Sequence, residues 1–206
     1  MKMLKRILLL ATFALLLNNI FAQNPAALQA AFVTSYEYEQ AGNYISAIKE
    51  LKAVYKADDY TVNTRLGWLC YLAKQYTESI SYYDKSIALK PYAIEARFGC
   101  VKPLSALESW DKVKAHYVEI LKIDPQNTVA NYWLGVIYYN RKDYANAVKL
   151  FEKSVNLYPL DYDSVIMLAW SKLNTGKSAD AKVLFNQALI LRPNDSSALS
   201  GLKLIK

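Results

Sequence analysis

Residues 131–159 read NYWLGVIYYNRKDYANAVKLFEKSVNLYP and close on Pro159. Proline recurs around it at a fixed interval: Pro125 stands 34 residues earlier, Pro91 another 34 before that, and Pro193 follows 34 after Pro159. The stretch itself supplies the cause. Ala130, just ahead of it, and Leu134, Ile137 and Tyr138 within it fall at helical spacing, as do Ala147, Val148, Phe151 and Val155. Lys142-Asp143 separates the two runs as a turn, so the spacing predicts helices over 129–141 and 144–157. Pro159 ends the second helix because a proline nitrogen has no hydrogen to donate to the next helical bond. One proline per helical hairpin explains the interval.

The chain on either side falls into the same frame. Sixty-eight residues earlier, Leu66-Gly67 matches Leu134-Gly135, Tyr76 matches Tyr144, Ser79 matches Ala147, Tyr83 matches Phe151 and Ser86 matches Ser154. One interval later, Leu168-Ala169, Ala181, Phe185 and Ala188 hold those places. Four units result, at 60–93, 94–127, 128–161 and 162–195; a shorter one at 28–59 has Gly42-Asn43-Tyr44 and Ala47 but no closing proline. Small residues recur where paired helices must approach: Gly67 with Ser79, Gly135 with Ala147, Ala169 with Ala181. Bulk at those places would push the helices apart. Residues 196–206 read as a capping helix, with Ser196 or Ser197 as N-cap and Ala198, Leu199, Leu202 and Ile205 covering the open end of the stack. The unit at 94–127 departs from the pattern. Val101 and Val113 replace the small pair, and Pro103 lies inside its first helix, where the lost bond to the Gly99 carbonyl predicts a kink.

A 34-residue period carrying Leu-Gly, then Tyr, a small residue, an aromatic and a terminal proline resembles the tetratricopeptide repeat family. The resemblance runs from residue 28 to the C-terminus. It implies an all-α fold, a right-handed α-solenoid of about five stacked helix-turn-helix repeats with a C-terminal capping helix. Residues 23–206 would then form one repeat domain, with the first helix of each unit lining a concave face.

Residues 1–22 stand apart. Lys2, Lys5 and Arg6 precede an apolar run from Ile7 to Leu17, and Ala22 offers a small residue for cleavage before Gln23. That order predicts a secretory signal peptide. The run is shorter than the roughly 20 residues a membrane span needs. The protein is therefore expected to be exported, periplasmic or secreted, without an integral membrane segment after cleavage. Losing three basic residues and no acidic one lowers the formal charge from +7 to +4. No run of three consecutive Lys or Arg marks a nucleic-acid partner, and none is expected. Cys70 and Cys100 read as small buried apolar residues on core-facing positions. A disulfide is the alternative that export leaves open.

Catalytic chemistry needs groups that converge, and the sequence offers none. His116 is the sole histidine, on the second helix of its unit and expected at the surface. One histidine and two cysteines thirty residues apart lack zinc-ligand spacing. The glycines are scattered singly, with no phosphate loop, and no GxSxG occurs. Asp58, Asp59, Asp161 and Asp163 fall at turns between units, where Asp forms turns or starts helices. No enzyme activity, cofactor or metal is expected.

The resemblance places a partner on the concave face. Its first-helix positions in this chain are Phe32 and Tyr36, then Thr64, Arg65, Trp68 and Tyr71, then Phe98 and Lys102. Tyr132, Trp133, Val136, Tyr139 and Asn140 follow, then Ile166, Trp170 and Asn174. From these, the candidate partner-binding residues are Tyr36, Trp68, Tyr71, Phe98, Tyr132, Tyr139, Asn140, Trp170 and Asn174. Some family members clamp the terminal carboxylate of chaperone tails. Here Thr64, Trp68, Phe98, Gly99 and Val129 hold those places, so an adaptor of that type is not expected. An aromatic face stacks on a peptide, an apolar strand or sugar rings. The expected function is an exported scaffold that holds a protein segment in the aromatic groove. Self-assembly through repeat ends or convex faces and recognition of cell-wall glycan are the alternatives.

Overall fold

The computed structural model describes residues 25–205. The segment read as a signal peptide, 1–22, lies outside the described residues. Eleven α-helices and no strand occur among the described residues. They are α1 (Pro25–Gln40), α2 (Tyr44–Ala53), α3 (Tyr60–Leu72), α4 (Tyr76–Leu89), α5 (Glu95–Ala106) and α6 (Trp110–Ile123). Then come α7 (Thr128–Asn140), α8 (Tyr144–Leu157), α9 (Tyr162–Asn174), α10 (Ser178–Leu191) and α11 (Ser196–Leu204). Two compact units divide between Lys85 and Ser86. In the first, α1 packs on α2 and α2 on α3 around Leu51, Val62, Leu66, Leu69 and Cys70. In the second, α5 to α11 pack in succession, with Phe151, Val165, Phe185 and Ala198 in the core.

The proline interval acts as the sequence predicts. Helices α4, α6, α8 and α10 each stop two residues before Pro91, Pro125, Pro159 and Pro193. The intervening residues Asp124, Tyr158 and Arg192 take φ of −130°, −130° and −134°. A following proline crowds the helical conformation and pushes its predecessor towards the extended region. Each of the three still donates its N–H to the last turn, at Ile120, Ser154 and Ala188.

A second periodic feature closes the hairpins. Gly42, Lys74, Glu108, Lys142 and Gly176 sit at the turn between paired helices with φ of 72°, 60°, 53°, 61° and 79°. Glycine takes this left-handed conformation without steric cost, whereas a residue with a Cβ is strained there. Asp59, Asn127, Asp161 and Asp195 cap the first turns of α3, α7, α9 and α11 through their side chains. The N-cap of α11 is thus Asp195 rather than Ser196 or Ser197; an ionised carboxylate accepts the Ala198 N–H at 2.8 Å.

The small pairs work through aromatic rings. A Cβ added at Gly67 would come within 3.0 Å of the buried Tyr83 ring, and one at Gly135 within 2.8 Å of the Phe151 ring. Ser79 Oγ also donates to the Gly67 carbonyl at 2.6 Å. The turns between units carry a further device. Asn63 Nδ2 donates to the carbonyls of Ala57 and Asp59, and Asn131 Nδ2 to those of Pro125 and Asn127. Both amides are fully buried and satisfy backbone oxygens that the turn leaves exposed to the core.

Helix α5 runs through the buried Pro103 and ends three residues later at Ala106. The α5–α6 hairpin packs more loosely than α7–α8 or α9–α10. Val101 and Val113, both buried, occupy the places that Gly, Ala or Ser hold elsewhere, so the helix axes cannot approach as closely. Cys70 and Cys100 are both buried. Burial pushes the Cys70 thiol up to about 11. His116 is half-buried on α6 rather than on the surface.

Candidate functional site

In the first unit the candidates Tyr36, Trp68 and Tyr71 do come together. Their centre is an ion pair, not an open groove. Arg65 Nη1 meets Glu39 Oε2 at 2.5 Å, and Trp68 Nε1 donates to Glu39 Oε1 at 2.6 Å. The Arg65 guanidinium lies 3.7 Å from the centroid of the Tyr36 ring, a cation–π contact. Tyr71 leans on Trp68 with centroids 5.7 Å apart. Arg65, read from sequence as a groove residue, is therefore a buried cation that ties α1 to α3. Tyr36 stays exposed above it.

The second unit holds six candidates. Phe98 is half-buried edge-on to Tyr117. Tyr139 is half-buried against Tyr144, and its hydroxyl accepts from Asn174 Nδ2 at 3.4 Å. Trp170 packs on Phe185 and donates through Nε1 to Ser197 Oγ at 2.8 Å, which anchors α11. Asn174 also bonds the Trp170 carbonyl. Ile166, another groove expectation, is buried in the core. These side chains consolidate the packing of successive helices. Tyr132 and Asn140 have a different setting.

Helix α7 presents Val129, Trp133, Val136 and Asn140 at positions i, i+4, i+7 and i+11, which lie along one face. Trp133 is 48% exposed, a large apolar surface to leave in water. An open cavity of about 680 Å³ lies towards the N-terminal end of this face. It is lined by Val129, Tyr132 and Trp133 and by the loop from Leu157 to Asp161. A second, of about 590 Å³, lies towards the C-terminal end, between Trp133, Val136 and Asn140 on one side and Trp110, Val113 and Tyr117 on the other. Trp133 is in the wall of both. The second cavity follows from the looseness of α5–α6: Val113, the residue that holds that hairpin apart, lines it.

Electrostatics differ at the two ends. The first cavity has Asp161 and Asp163 in its wall, the second Arg141. Burial first, and then the Asp163 and Asp161 carboxylates, push the Tyr132 phenol above its ordinary range. Asp163 meets Arg192 at 3.5 Å and Arg141 meets Asp111 at 2.8 Å, both at exposed positions. Pairs of this kind contribute little and exchange readily with solvent or another partner.

Sequence reasoning placed the groove on first helices and so missed Trp110 and Tyr117 on α6 and the loop at 157–160. Two signals pointed there. Val101 and Val113 break the small-residue rule, and Tyr158 and Leu160 flank the periodic proline with apolar side chains that are 59% and 76% exposed. No group of three or more His, Cys, Asp or Glu side chains placed to hold a metal ion occurs among the described residues. Nor is any described helix long and apolar enough to cross a membrane.

Known proteins share this architecture. Tetratricopeptide repeat family models match residues 32–94 and 129–161. A mouse protein, BBSome complex member BBS4, is 28% identical over 139 residues, covering 63% of this chain and 27% of its own length. The chain thus spans about a quarter of that relative. Among solved structures, a tetratricopeptide repeat protein from Parabacteroides merdae superposes with a TM-score of 0.73 at 19% identity, covering 85% of this chain and 71% of its own. MamA protein superposes at 0.70 with 17% identity, covering 80% and 91%. MamA from Desulfovibrio magneticus does so at 0.69 with 19% identity, covering 85% and 100%. At these identities the structural likeness is one of fold. The fold is typical of protein–protein interaction scaffolds and is generally non-enzymatic. With helical hairpins recurring every 34 residues and two stretches matched by its models, the chain belongs to the tetratricopeptide repeat family.

Proposed function

We propose that this protein is an exported, non-enzymatic scaffold that holds a segment of a partner protein along α7. The observation that carries the reading is Trp133, half exposed between two open apolar cavities of about 680 and 590 Å³. A rigid aromatic between two apolar recesses is the form of a binding hot spot, since it buries much area at little entropic cost. The supporting wall is preformed: Tyr132 packs edge-on against both Trp133 and the buried Phe151, with centroids 5.3 and 5.8 Å apart. Export rests on the order of charge, apolar run and small residue in 1–22. A mature chain starting at Gln23, read by mass spectrometry, is the expected product; an intact N-terminus in cells would contradict export.

Crosslinking in the native cells tests the binding reading. The wild type should capture a defined partner, and Trp133→Ala, checked for folding by circular dichroism, should lose it. Unchanged capture, or crosslinks between copies of this chain alone, would move the working surface away from α7.

A further inference from the structure

The two recesses beside Trp133 differ in charge, and the difference specifies the occupant. The wall of the first holds two carboxylates, Asp161 and Asp163, and no cation; the wall of the second holds one guanidinium, Arg141, and no carboxylate. Both recesses are otherwise mainly apolar. They lie along one helical face from Val129 to Asn140, eleven residues apart, or roughly 16 Å at 1.5 Å per residue. An extended peptide covers that span in about five residues. Resting on the groove reading above, we infer that the site takes an extended peptide of one particular charge polarity. It carries two apolar side chains, one on each side of Trp133. A lysine or arginine lies at the end over Asp161 and Asp163, and an aspartate or glutamate about five residues away lies over Arg141.

The neighbouring ions do not cancel this polarity. Arg192 reaches Asp163 only at 3.5 Å, and both groups are more than half exposed. Asp111, the partner of Arg141, is 90% exposed and lines neither recess. Asp161 accepts the Ser164 N–H through one oxygen at 3.2 Å and is itself exposed. The acidic end also borders Tyr132, whose phenol is raised first by burial and then by the same two carboxylates.

Fluorescence anisotropy on the full chain decides the matter, with four labelled peptides of about eight residues. Each has two leucines separated by one serine, so that both side chains lie on one face of an extended chain. The flanking residues are lysine and glutamate in one order, the reverse order, two lysines, or two glutamates. One mixed-charge peptide should bind best, with each matched charge worth up to about fivefold. Its affinity should fall with salt. Asp163→Lys should weaken that peptide about tenfold and recover binding when its lysine is replaced by glutamate. Arg141→Glu should behave in the mirror sense. Equal affinity for all four peptides, each lost in Trp133→Ala, would overturn the polarity and leave the groove standing. Binding of the mixed peptides that is unaffected by Trp133→Ala, or absent up to about 1 mM, would overturn both.

Discussion

A few side chains set how closely the helices of a pair can approach, and Gly135 is the clearest. Its missing Cβ leaves room for Phe151, a fully buried ring with nowhere to move. Alanine is normally favoured over glycine in a helix by roughly 0.5–1 kcal/mol. Here the clash should reverse the sign, and Gly135→Ala should destabilise the chain by about 1–3 kcal/mol in urea melts. A stabilised variant would show that the ring can yield. The same logic holds at Gly67 against Tyr83. These glycines were visible in the sequence as a periodic small position. The ring that requires them was visible too, as Tyr83, Phe151 and Phe185 at one register. What the sequence did not disclose was that indole and guanidinium groups on the first helices would be drawn inward. Trp68 and Arg65 share Glu39, and Trp170 is held by Ser197. Those bonds join residues 26 to 29 apart, outside the reach of periodic reasoning.

At the scale of the element, each hairpin is closed by a left-handed turn residue inside, and each after the first by a proline outside. Where the turn residue has a side chain, the helix pair carries local strain. Lys142→Gly should therefore raise stability by about 1 kcal/mol, and Gly176→Ala should lower it. Thermal melts of the two variants check both signs; a destabilised Lys142→Gly would mean that the Lys142 side chain makes a contact that outweighs the strain. Helix positions were legible because period and punctuation agree: Lys142-Asp143 was read as a turn, and α8 begins at Tyr144 and ends at Leu157 as the spacing predicts. The N-cap of α11 was misread by one residue because serine and aspartate both serve there, and only geometry shows which oxygen faces Ala198. The second recess was illegible for a different reason. It comes from what Val101 and Val113 prevent, and an absence of close packing has no residue pattern of its own.

Across the whole molecule, buried proton-bearing groups couple stability to pH. Burial holds Cys70 near 11 against an ordinary 9.0 and Tyr117 near 12 against 10.0. The Glu152 carboxylate raises Lys172, which it meets at 2.5 Å. Each group binds its proton more tightly folded than unfolded. The associated stability is complete below the unfolded value and is lost as pH rises towards the folded one. The unfolding midpoint should therefore fall between about pH 9 and 11, and Cys70→Ala should make that fall shallower. A midpoint that stays level over this range would contradict the burial assigned to these groups.

The most direct test of the central claim is a photo-crosslinking residue placed in living cells at Val136, in the wall of the second recess. The control is the same residue at Val183, an exposed position on α10. Adducts should form at position 136, map to one short segment of one partner protein, and be absent at 183. Equal adducts at both positions, or none at 136 beyond copies of this chain, would show that the face around Trp133 is not where this protein works.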